Sequence, residues 1–229
     1  LRCPCFLDSS TLSDLRMLFS NGIAKSDVIV ILASPGYLTR PWCLLEILEA
    51  TRVGVPFLLL ALPGFSFSTA RAFVANLDKE LTMNNPYALG TIVDYLGAED
   101  LTELKAALDG MLDSVEGDKI IPWNSNARDE QIIGQAMHIS ERMGDLVGIT
   151  IKWQHATMKL QGAASDVEEE ITERMLKLKT TAGAHGNVHQ YGAVILCHRN
   201  TALKEARVLQ AELSKLLCKP VLVGGNLQE

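Results

Sequence analysis

Two apolar runs, "SDVIVILAS" at 26–34 and "VPFLLLALPG" at 55–64, limit what this chain can fold into. Each is nearly continuous rather than alternating, and each ends in small or turn-forming residues. That is the pattern of a strand buried on both faces of a parallel sheet. Between them lies "PWCLLEILEATRVG". Pro41 suits the first position of a helix and Gly54 suits its C-terminal cap. Trp42, Leu45, Leu48 and Glu49 fall three or four apart, as on one helical stripe. Strand, helix and strand at this spacing predict a βαβ unit with a right-handed crossover.

The same reading extends along the chain. Residues 4–8 ("PCFLD") predict a short strand, and 10–27 a helix with Ser/Thr at its start and Leu15, Leu18 and Phe19 on one face. Amphipathic helices are expected at 69–82, 86–97 and 100–115, and a last short strand at 119–123. The stretch 126–148 predicts a helix with Ile132, Ile133, Ala136 and Ile139 turned inward. A first unit therefore ends near Gly148. Residues 149–190 hold a charged helix, acidic in its first turn, and a Gly-rich linker. Then "GAVILCHRN" (192–200) predicts a new buried strand, 201–218 an amphipathic helix and "KPVLVGG" (219–225) another strand. "KPVLVGGNL" and "CPCFLDSSTL" share a Pro, an apolar strand and small turn residues. The expected organisation is one α/β module over 1–148 lacking its opening strand and helix, a connecting segment over 149–190, and the opening strand–helix–strand of a second module over 191–229.

Composition narrows the function classes. Of 229 residues, 48% are hydrophobic and 21% charged, which predicts a packed core. A net charge of −6 without any Lys/Arg run argues against nucleic-acid binding. No apolar stretch is long enough to span a bilayer. Five cysteines without zinc-type spacing suit a reduced, intracellular and cytoplasmic setting. The chain opens on Leu, which reads as a piece of something longer.

The strand "DVIVILAS" followed by "PGYLTRPWCLLEI" resembles the Toll/interleukin-1 receptor (TIR) domain family. Ser34, Tyr37, Pro41, Trp42, Cys43, Leu44 and Glu46 stand in the places of that family's motif. "GAVILCHRN" resembles its opening strand, "PCFLDSSTL" its second strand and the following loop, and "WNSNARDEQI" the start of its last strand–helix pair. The resemblance covers about 3–64, 119–145 and 190–229. The helical middle, 65–118, is longer than the family pattern. The fold implied is α/β and flavodoxin-like: a parallel sheet with helices on both faces, meeting ligands at the carboxyl ends of its strands.

Three functions follow as expectations. The first is an interaction or scaffold module that self-associates with other TIR-like modules through the loop after the second strand, here Ser9, Ser10, Thr11 and Leu12. The second is cleavage of NAD+, as substrate rather than cofactor, with Glu46 as catalytic acid residue and Trp42 supporting it. A carboxylate beside the ribose stabilises the oxocarbenium-like charge left when nicotinamide departs. Ser34, Tyr37, Cys43, His198 and Arg199 would line the ligand site. The third is an inert subunit of a large assembly, docking through 65–118. Other residues have plainer readings. Glu46 four places after an aromatic is ordinary on an amphipathic helix, and Cys43 suits a core. Trp123 and Trp153 suit packing. His185 and His189 have HxxxH spacing, but the glycine between them suits no rigid metal site.

Overall fold

The computed structural model describes residues 19, 22–97, 100–115, 117, 120–148, 191–217 and 221–224. Within them run β1 (Ser26–Ala33), α1 (Pro41–Val53), β2 (Phe57–Ala61), α2 (Phe67–Ala75), α3 (Leu77–Asn84), α4 (Pro86–Leu96), α5 (Thr102–Ser114), β3 (Ile121–Pro122), α6 (Asp129–Leu146), β4 (Tyr191–Cys197), α7 (Arg199–Leu216) and β5 (Val221–Gly224). The strand expected at 4–8, most of the helix expected at 10–27, and the charged helix and linker at 149–190 lie outside the described residues; the end of that expected helix is instead a 3-10 turn over Ile23–Lys25 running into β1.

The strands form one parallel sheet in the order β3-β2-β1-β4-β5. Counting from β4 as the first strand, this is the 2-1-3-4-5 order of flavodoxin-like sheets. The fold is therefore α/β and flavodoxin-like. Residues 191–224, expected to open a further module, here pair their strands in the same sheet, β4 beside β1 and β5 beside β4.

The pleat sorts each strand between two cores. Ile29, Ile31 and Ala33 of β1 join Leu59, Val194 and Leu196 in the core under α1 and the helices of 67–114. Val28, Val30 and Leu32 join Leu58, Leu60, Ala193 and Ile195 in the core under α6 and α7. This is why the sequence of β1 is apolar at almost every position.

Helix α1 begins and ends as its residues dictate. Pro41 is its first residue, where a missing N–H costs nothing. Gly54 closes it at φ 73°, a left-handed conformation that an L side chain resists. The expected helix at 69–82 is two helices, because the chain turns at Asn76. There the Asn76 side-chain amide donates to Ala72 O at 2.9 Å, competing with helix continuation. Asn85 caps α4 by accepting from Ala88 N at 3.1 Å. Its amide also donates to Thr39 O at 2.7 Å, tying the outer helices to the loop after β1. Ile133, expected to face inward, is 47% exposed, whereas Ile132, Ala136 and Ile139 are buried. Two adjacent isoleucines cannot share the narrow stripe that α6 presents to the sheet.

Candidate functional site

Strand order reverses between β1 and β4. The chain leaves β1 toward β2 and β3, and leaves β4 toward β5 on the other side. A crevice at the carboxyl ends of such a strand pair is where open α/β sheets meet ligands. Ser34 directly follows β1, and His198 directly follows β4.

These ends are bolted together. Thr201 Oγ1 donates to Ser34 Oγ at 3.0 Å and lies 2.8 Å from His198 Nδ1. Backbone N–H groups of Thr201 and Ala202 donate to His198 O at 3.1 and 2.8 Å and start α7. Ser34 and His198 are both buried. Sequence reasoning selected both of them and missed Thr201, although a threonine three places after the strand-ending histidine is well placed to close such a turn. Arg199 is the first residue of α7.

The loop after β1 folds its aromatic inward. Tyr37 N donates to Ser34 O at 3.0 Å, opening a short 3-10 turn over Tyr37–Thr39. The Tyr37 ring is buried, and its hydroxyl makes no hydrogen bond. Burial pushes that hydroxyl well above the ordinary tyrosine range, with neighbouring Cys43, Glu46 and Cys197 adding to the effect. Burial likewise raises the Cys43 thiol well above its ordinary range, Glu46 next, against a small opposing pull from Arg40. A thiol held protonated in a core is a poor nucleophile. Cys197 is a second buried thiol.

Glu46 is buried within α1, 2% exposed, one turn after Cys43. Trp42, a turn earlier, is half-buried and packs against the same core. Glu49, the next acid along, does something different. Arg52 Nη1 reaches Glu49 Oε1 at 2.6 Å, while its Nε and Nη2 grip both Glu103 oxygens at 2.8 and 2.6 Å. This forked contact fastens α1 to α5 at the surface. No pattern in the sequence announced it, because its members lie 51 residues apart.

A hollow of about 130 Å³ opens at the rim between the ends of β1 and β2. Ser34, Pro35, Leu38, Thr39, Phe65 and Ser66 are among its lining residues, which include neither Glu46 nor Trp42 nor His198. Its polar groups are hydroxyls. Ligand pockets for drug-sized molecules run to about 300–1,000 Å³. Gly64 keeps this rim tight, since its φ is 87° and a Cβ there would meet Pro35 Cγ at 3.1 Å. Among the described residues no group of three His, Cys, Asp or Glu side chains is placed to hold a metal ion. No helix of the described residues is long and apolar enough to cross a membrane.

The sequence-selected residues thus divide. Ser34 and His198 meet at the strand reversal, Tyr37, Cys43 and Glu46 gather beneath it, and Ser9, Ser10, Thr11 and Leu12 lie outside the described residues. His185, His189 and Trp153 lie outside them as well. Compared with protein families, with curated proteins and with solved structures, the chain matches none of them.

Proposed function

We propose that this chain is a protein interaction module that works by self-association, in the manner its resemblance to TIR domains implies. One observation carries this reading: Glu46 lies 2% exposed, and the hollow at the rim contains no carboxylate and is small for a dinucleotide. A buried acid and a small hollow lined by hydroxyls suit a scaffold better than a hydrolase. Large apolar side chains left at the surface, Tyr87 at 77% and Met83 at 68%, add contact area of the kind interfaces use. Sedimentation velocity of the purified chain across about 1–500 μM tests the reading, since association must appear as mass action in that range. A species that stays monomeric throughout overturns it.

A second reading is NAD+ cleavage, favoured by Glu46 lying one turn from Trp42 beneath the strand reversal. It requires the rim to open around the carboxylate. Nicotinamide release from NAD+ by the chain, lost by at least about tenfold in a folded Glu46→Gln variant, supports it. Release that is absent, or unchanged by the substitution, removes it.

A further inference from the structure

Strand β4, helix α7 and strand β5 form one continuous stretch of chain, and it completes the sheet from outside. It joins the rest along the β1–β4 ladder, running from Ser26 opposite Tyr191 to Leu32 opposite Cys197. Around that ladder, α7 packs on α6, Lys204 Nζ donates to Asn126 Oδ1 at 2.8 Å, and Thr201 holds Ser34. Without this unit, β1 would present a bare edge of N–H and C=O groups, and Val28, Val30 and Leu32 would lose their cover from α7. Such an edge demands a partner. The partner it is shaped for has the apolar strand, amphipathic helix and second strand of residues 191–224.

The covalent route between Gly148 and Tyr191 is 42 residues long, 149–190. Fully extended, that many residues span about 140 Å, several times the width of this sheet. The chain therefore permits the same ladder to form within one molecule or between two. Connection in one molecule favours the internal arrangement by an effective concentration on the order of millimolar. Above that concentration, or where copies fold side by side, the balance turns.

We propose that β4–α7–β5 is an exchangeable unit, and that the edge of β1 accepts it from a second copy of this chain. Each sheet of the resulting dimer holds two strands of its partner. This rests on the reading of the protein as self-associating, and it names the surface involved.

Two full-length chains test it. One carries Leu32→Cys together with Cys197→Ser, and the other is unaltered. Positions 32 and 197 are register partners with side chains in the same core. Neighbouring strands lie about 4.8 Å apart, within the Cα separation a disulfide spans. The altered chain has no thiol opposite its own position 32, so a disulfide from there to Cys197 requires β4 of the other molecule. The chains are unfolded together, refolded under mild oxidation at about 10 μM to about 1 mM, and mapped by mass spectrometry. Exchange predicts this cross-link, with a yield rising about tenfold or more over that range. Its absence at the highest concentration overturns exchange. If dimers still sediment in that case, the self-association reading stands and exchange alone falls; if neither appears, both fall. Should Leu32→Cys block folding, Val28→Cys in one chain and Ala193→Cys in the other repeat the test at a second register pair.

Discussion

Helices α1 and α7 each connect two parallel strands, yet they live in different surroundings. In α7, buried Ala202, Ala206, Leu209 and Leu213 face the sheet while Thr201, Lys204, Arg207 and Ala211 meet solvent. In α1, every residue from Cys43 to Leu48 is buried, which covers more than a full turn. The cause is the helical stretch 67–114, whose α4 and α5 pack on the side of α1 away from the sheet. A helix covered on one side is amphipathic; one covered on both is apolar all round. Glu46 lies within that buried run. The contrast between the two helices is testable.

The largest expected effect comes from truncation under the second layer. Leu48→Ala should lower unfolding free energy by about 2–5 kcal/mol, because it empties volume that sheet and outer helices both enclose. Arg207→Ala on the open side of α7 should stay within about 0.5 kcal/mol. Urea unfolding followed by tryptophan fluorescence measures both. Comparable midpoints for the two variants would mean that α1 is not covered as described.

A smaller effect distinguishes the helix ends. Gly54→Ala forces an L side chain to φ 73° and should cost about 1–2 kcal/mol. Helix α7 ends at Leu217 in extended backbone, so Leu217→Ala should cost only its partial burial. Thermal unfolding of both variants sharpens the contrast, and a neutral Gly54→Ala breaks it.

The smallest effect lies in the surface fork. A hydrogen bond from Arg52 holds the Glu103 carboxyl below its ordinary range. The folded protein therefore takes up that proton at lower pH than the unfolded chain does. Stability from the pair is fully present above the unfolded carboxyl's titration and is lost as pH falls through the folded one's. Glu103→Gln should accordingly narrow the difference between urea midpoints at pH 7 and pH 3. The change should be slight, because exposed ion pairs are screened. No change at all would leave α1 and α5 held by apolar packing alone.

Much of the fold could be read in advance. β1, β2 and α1 announced themselves because continuous apolar runs, Pro41 and Gly54 are local signals acting on local backbone. The strand–helix–strand pattern of 191–224 was equally plain. Its destination was not, since strand pairing depends on which edge is free, and that is settled by residues far away in sequence. The break at Asn76 and the exposure of Ile133 escaped for a related reason: each depends on where a neighbouring element lies. At the site, Ser34, Tyr37, Cys43, Glu46 and His198 were singled out by motif, and they do gather at or beneath the strand reversal. Thr201, which joins two of them, carried no signal beyond a hydroxyl at a helix start.

The amino-acid sequence alone determined which segments are strands and helices and where α1 starts and stops, because backbone preference and apolar periodicity act over a few residues. Only the tertiary structure decided that 191–224 lies against β1 and that the Glu46 carboxylate is enclosed. Both depend on surfaces brought together across long stretches of chain, where the free energy of burial, not local propensity, chooses the partner.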